Sequence, residues 1–310
     1  MKHLLKFFIF GLLAGLLIVV IVIPYAARGV SPAVYYPWLI NQHLRSEQDT
    51  KQLNFFVTDS HTRLPVLCYH NIVEDQYADQ GGVSASDFRE EMQTLRELGY
   101  SFITPADLLA ALNGTTTLPE RSVMVTFDDS LKSTYDLAYP VLKEMEIPAV
   151  VNIIGYQVEY DYNYNTSLLN WEEAEEMAKS GLITLGSQTW NCAEPLFSIS
   201  GNRIYPLVDH KDNESQESYV ARINADFQKN NDKIQEHTGQ TPVSLAWPYG
   251  YASPEAETAM AAHGLMLGFD TSGSRANDLS LGVDPHHIQR YVIDQNYAIK
   301  DFIILINSDN

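Results

Sequence analysis

From Leu64 onward, short apolar runs alternate with helical patterns: "PVLCYH", "SDFREEMQTLRELG", "SFIT", "PADLLAALNG", "SVMVTF", "TYDLAYPVLKEM", "AVVNII", "NWEEAEEMAKSG" and "LITLGS". The alternation continues through a long helix near 217–237, then "SLAWPYG", "PEAETAMAAHG", "LMLGFD" and "IQRYVI". Strand–helix repetition of this kind specifies an α/β fold with a parallel sheet and helical crossovers. With roughly seven or eight repeats in one stretch, closure into a barrel is favoured over an open sheet, and a site is expected at the C-terminal ends of the strands.

One such strand end carries two adjacent carboxylates, Asp128 and Asp129, in "SVMVTFDDSLKS". A single Asp at a strand-to-helix turn is explained as a helix cap. Two side by side repel each other unless a cation or a proton comes between them, so the pair points to an active site.

Two features outside the repeats bound the function. The net charge of −19 argues against nucleic acid as a partner, because such binding relies on Lys and Arg neutralising phosphates. No residue from Phe7 to Ile23 is charged, and apolar character continues to Ala27; this is long enough to cross a bilayer and long for a cleaved signal. Lys2 and Lys6 precede it, which keeps the N-terminus inside. The expected organisation is a signal anchor or transmembrane helix over 1–27, a stalk over 28–63 and a domain over 64–310. The expected location is the cell membrane, single-pass, with the domain outside the cytoplasm.

The motifs "PVLCYHNI", "LRELGY", "FITPADLLAAL", "LPERSVMVTFDDS", "YPVLKEMEIPAVVNIIG", "NWEEAEEMAKSGLITLGSQTW" and "LAWPYG" together resemble the polysaccharide deacetylase family (NodB homology, carbohydrate esterase 4). Within it they resemble most the branch acting on biofilm poly-N-acetylglucosamine. The resemblance implies a distorted (β/α)7 barrel of NodB type, a divalent metal, usually zinc, and hydrolysis of N-acetyl groups in an amino-sugar polymer. It implies an N-acetylglucosamine-containing polysaccharide as partner; an envelope glycan synthase or a cell-wall strand is a further candidate.

By the same resemblance Asp128 is the general base and Asp129 a metal ligand. Chemically, a metal lowers the pKa of its bound water while a carboxylate removes the proton. The sequence departs from the family at its second motif, where "LGSQTWNC" places Gln188 and Cys192 at the positions of the two metal-binding His residues. Three readings follow: a weak Asp129–Gln188–Cys192 metal site, Gln being a poor zinc ligand; loss of the metal with a groove that still binds glycan, making the protein a catalytically inactive glycan-binding or scaffolding pseudoenzyme; or rescue of the site by His70 of "CYHN". Ser130 stands where the family has Gly, a modest change unless positive φ is required.

The third family motif often carries an Arg that orients the base, and Ala246 occupies that place. Trp247, Pro248 and Tyr249 are expected either to form a substrate-binding aromatic wall or to pack as core, and His70 to contact substrate. No residue clearly matches the family's general acid; His286 and His287 read as surface. Tyr156, Tyr160, Tyr162 and Tyr164 read as a loop on the catalytic side, able to stack on sugars. The two cysteines, Cys68 and Cys192, are expected either to form a disulfide or to remain separate, with Cys68 a small buried residue. Cys68 and His70 are two apart on a strand and so point the same way.

Overall fold

The protein is represented by a computed structural model that describes residues 63–160 and 167–307. The anchor expected over 1–27 and the stalk up to residue 62 lie outside the described residues, as do Tyr162 and Tyr164. Among the described residues no helix is long and apolar enough to cross a membrane.

Six fully paired strands run in chain order: β1 (Val66–Tyr69), β2 (Ser122–Phe127), β3 (Ala149–Ile153), β4 (Ile183–Ser187), β5 (Ser244–Ala246) and β6 (Leu267–Asp270). Two short strands follow, β7 (Ile288–Gln289) and β8 (Tyr291–Ile293). Neighbours in the sheet are β7-β6-β5-β4-β3-β2-β1-β8, and every pairing along this path is parallel. β7 and β8 are separated in the chain by Arg290 alone, so the two ends of the path are one continuous segment. The sheet therefore closes on itself: eight strands with the last two merged make a barrel of seven staves. The expected α/β barrel is present, and its seam is the segment Ile288–Ile293.

The composition explains the strands. β2 and β3 are buried at every position, as continuous apolar runs must be when both faces of a parallel strand are covered. Helix starts are fixed by local capping. Ser84 accepts the Asp87 N–H at the head of α1 (Ala85–Glu97). Thr104 with Asp107 forms a capping box ahead of α2 (Pro105–Leu112), and Asn170 with Glu173 does the same for α3 (Trp171–Lys179). α4 (Gln216–Thr238) starts at the Ser215 cap and stops at Gly239, whose φ of 75° suits a residue without a Cβ. α5 (Pro254–Ala262) follows β5.

Since all staves run the same way, His70, Asp128, Gln188 and Trp247, each just past a strand end, share one mouth of the barrel. The segment expected as a tyrosine loop begins instead as a short helix, Gly155–Tyr160. There the Tyr156 and Tyr160 rings pack on each other at 4.9 Å and on Trp190.

Candidate active site

Asp128 continues the β2 ladder for one residue, its N–H bonding to the Tyr69 carbonyl at 3.0 Å, and the chain then turns sharply. Asp129 and Ser130 take φ values of 68° and 52°, a left-handed region that costs a non-glycine residue on the order of 1 kcal/mol. Positive φ is thus required at Ser130. The serine gives something back that Gly could not: its hydroxyl accepts the Ile154 N–H at 2.8 Å.

The turn separates the two acids. Asp128 points into the barrel, where Arg290 grips it from the seam: Nη1 donates to Oδ1 at 2.8 Å and Nη2 to Oδ2 at 2.7 Å. Asn152 of β3 donates to Oδ1 at 2.8 Å. Arg290 is 0% exposed and also reaches the Thr126 hydroxyl at 3.1 Å. Burial pushes the Asp128 carboxyl up, but the Arg290 charge and hydrogen bonds, with His70 and Asn152, outweigh it and hold Asp128 below its ordinary value. Arg290 therefore supplies the orienting guanidinium whose usual position in the third motif is occupied by Ala246. Nothing in "IQRYVI" marks it, because its partner is distant in sequence.

Asp129 is held differently. The Gln188 side chain accepts the Asp129 N–H at 2.7 Å and donates to Asp129 Oδ1 at 2.8 Å. Burial pushes the Asp129 carboxyl up; His70 opposes this and the Asp128 charge adds to it. Gln188 thus faces Asp129 as the resemblance implies, in a closed two-bond pairing.

Cys192 does not join them. It is 4% exposed within a cluster of Leu207, Tyr219, Ile223, Phe227, Leu245 and Trp247. Its sulfur lies 3.7 Å from Arg222 Nη1, and burial, then Asp226, pushes its thiol well up. The physical reason is local: Asp226 of α4 accepts the N–H groups of Trp190 and Asn191, which ties this turn to α4 and sets Cys192 against the helix.

Cys68, His70 and Asp128 do come together, their donor atoms all within 4.8 Å of one another, and Cys68 and His70 share a side as their spacing predicts. The Cys68 sulfur is 3.6 Å from Asp128 Oδ2. Cys68 and Cys192 are unlinked, each engaged with different partners. The triad is a possible ligand set by atom type and spacing. Arg290 already donates to both Asp128 oxygens, so a dication held there would share that carboxylate with the guanidinium. At the family's own positions, Asp129 is taken by Gln188 and Cys192 is turned inward. The residues at the family's own positions, so arranged, do not fit a divalent metal, which leaves Cys68, His70 and Asp128 as the set of suitable donor atoms among the described residues.

Trp247 is 1% exposed, its indole donating to the His286 carbonyl at 2.7 Å. Pro248 is also buried, so both shape the loop from below, while Tyr249 is 51% exposed at the mouth. Burial raises the Tyr249 hydroxyl, and the charges of Glu194 and Asp129 add to it. His287 is part-exposed but partnered: its imidazole lies between Asp270 (3.3 Å) and Glu257 (3.2 Å). His70, part-exposed beside Asp128, is the imidazole that faces the acids.

Fold and site together define a closed seven-staved (β/α) barrel whose acid–base groups converge at its C-terminal mouth. The sequence profile described as "Polysaccharide deacetylase" matches residues 115–268. A poly-beta-1,6-N-acetyl-D-glucosamine N-deacetylase of Escherichia coli K12 is 30% identical over 262 residues, covering 78% of this chain and 38% of the relative. One of the same description from Staphylococcus aureus N315 is 27% identical over 187 residues, 60% of each chain. Among solved structures, a de-N-acetylase from Aggregatibacter actinomycetemcomitans superposes with a TM-score of 0.68 at 26% identity, covering 77% of this chain and 99% of that one. IcaB from Ammonifex degensii gives 0.63 at 28%, covering 75% and 92%. The chain belongs to the polysaccharide deacetylase family, in the branch of the poly-N-acetylglucosamine deacetylases. It spans about two fifths of the length of the Escherichia coli relatives it matches.

Proposed function

We propose that the barrel mouth takes an N-acetylated amino-sugar polymer, poly-β-1,6-N-acetylglucosamine, and hydrolyses its N-acetyl groups. The carrying observation is Asp128: a buried carboxylate kept ionised by Arg290 and Asn152, beside the part-exposed imidazole of His70. Oδ1 accepts from both Arg290 and Asn152, while Oδ2 accepts one guanidinium N–H and a weak thiol contact. Oδ2 is thus the oxygen with room to take a proton from water attacking the acetamide carbon. His70 is placed to protonate the leaving amine, and the products are acetate and a glucosamine unit. The names of the relatives support this polymer. The apolar N-terminal run supports a membrane-held protein working outside the cytoplasm.

A second reading, occupancy without turnover, is favoured by one observation: the Gln188–Asp129 pairing fills the place where two His would hold the metal. Acetate release from poly-N-acetylglucosamine oligomers by the full chain, with zinc content measured on the same sample, separates the two. The hydrolytic reading expects release that is lost in Asp128→Asn and in His70→Ala. Oligomer binding with no acetate above the Asp128→Asn background, with or without added zinc, would establish the second reading instead.

A further inference from the structure

Three tyrosines outside the acid–base groups meet at the same mouth. The Tyr205 ring lies 5.3 Å from Tyr249 at 69° and 5.0 Å from Tyr251 at 79°. Tyr249 and Tyr251 are 51% and 47% exposed, although half-exposed aromatic rings usually find cover. They come from separate parts of the chain. Tyr249 and Tyr251 sit on the loop after β5, while Tyr205 directly follows a short hairpin, Leu196–Phe197 paired with Arg203–Ile204, inserted between β4 and α4.

Both supports are rigid. Tyr249 is held at φ 59°, where a residue with a side chain stands at a cost, and such outliers persist where the surroundings over-determine them. Gly250 explains the constraint. Its φ is 73°, and a Cβ there would come within 2.8 Å of Asp270 Oδ1, so the loop is pressed onto the end of β6 and the Tyr249 ring is turned outward. Tyr205 is fixed from behind: its N–H donates to Asp209 at 2.8 Å, Arg222 bonds the Pro206 carbonyl at 2.7 Å, and Tyr219 bonds the Leu207 carbonyl at 2.8 Å. The Arg203 guanidinium sits 5.9 Å from the Tyr205 ring and donates to its hydroxyl at 3.4 Å.

Rings of this kind offer an apolar face with a polar tip, which suits the C–H face and hydroxyl rim of a pyranose. Because they are fixed before ligand arrives, little ordering entropy opposes binding. Tyr249 connects the cluster to the reacting groups, since its loop leaves the end of β5 at the same mouth where Asp128 follows β2. We propose that Tyr205, Tyr249 and Tyr251 form a sugar-stacking subsite that holds a unit of the polymer adjacent to the one at Asp128. This rests on the glycan reading above and extends it: the domain recognises a run of sugars, with the inserted hairpin setting one edge of the groove.

The test is binding of N-acetylglucosamine monomer and of the β-1,6-linked pentamer to the full chain, by calorimetry. Tyr251→Ala and Tyr205→Ala should each weaken pentamer binding about five- to tenfold, in line with about 1–1.4 kcal/mol per aromatic contact, and leave the monomer within about twofold. Tyr205→Phe, which keeps the ring, should retain pentamer affinity. Tyr251 is half-exposed, so its variant remains informative if Tyr205→Ala unfolds. Pentamer affinity unchanged in Tyr251→Ala, or lost equally for both lengths, overturns the subsite while the glycan reading stands. Failure of the unmodified chain to bind the pentamer overturns both.

Discussion

Glu91 on α1 is a carboxyl with almost no access to water. Tyr69 donates to its Oε2 at 2.7 Å and its Oε1 has no hydrogen-bond partner. Burial pushes its pKa up to about 8; the Tyr69 hydrogen bond opposes this, and the charges of Asp87 and Glu90 add to it. A carboxyl whose folded pKa lies above its unfolded one is protonated in the fold, so stability is lost as pH rises from the ordinary carboxylate range through about 8. Glu91→Gln should therefore change stability little at pH 5 and raise it by about 2–4 kcal/mol at pH 9, read by urea denaturation at both values. An equal difference at the two pH values would refute the buried-acid account. Gln188 obeys a different rule, that of the orphaned donor. Gln188→Ala leaves the Asp129 N–H without its acceptor and should cost about 1–3 kcal/mol, visible as a lower thermal midpoint. Which residues replaced the family's His pair was legible in the sequence. What they do instead was not, because Gln188 pairs with an acid 59 positions away and the orientation of Cys192 is set by Asp226 on a later helix.

Elements were the most legible level. Continuous apolar runs such as "SVMVTF" and "AVVNII" announce parallel strands, and "TPAD" and "NWEE" carry the capping boxes that start α2 and α3. The hairpin at 196–204 was hidden, since its strands are two residues each and too short for an alternating pattern. The loop after β5 was half legible: "WPYG" announces a turn, but only packing decides that Trp247 goes under it and Tyr249 over it. That division yields a prediction for the element. Tyr249→Gly relieves the left-handed strain and should stabilise the fold by roughly 0.5–1 kcal/mol, while removing the exposed ring and weakening binding of the polymer. Stability and affinity moving in opposite directions, by thermal melting and calorimetry, is the expected result. A variant that loses stability would show that the ring packs more than it strains.

At the scale of the whole molecule, one residue joins closure to chemistry. The barrel closes through Ile288–Ile293, and the side chain at the middle of that seam is Arg290, which crosses the interior to an acid 162 positions earlier. No local pattern could have shown this, since the charge reads as surface until the topology brings β8 beside β1. A buried ion pair of this kind is weak grounds for stability when compared with two apolar residues, but removing one partner strands the other's charge, at about 3–5 kcal/mol. Arg290→Met should therefore destabilise the barrel by that amount at pH 7. Because the pair depresses the Asp128 pKa, its contribution is present above the unfolded carboxylate range and is lost as pH falls through the folded value. The deficit of Arg290→Met should thus shrink below about pH 4. Adding Asp128→Asn removes the stranded charge and keeps an acceptor for Asn152, so the double variant should recover most of the loss at pH 7. Urea denaturation of the two singles and the double measures the coupling directly. Additive losses would mean that Arg290 holds the seam by packing alone and that Asp128 is oriented without it.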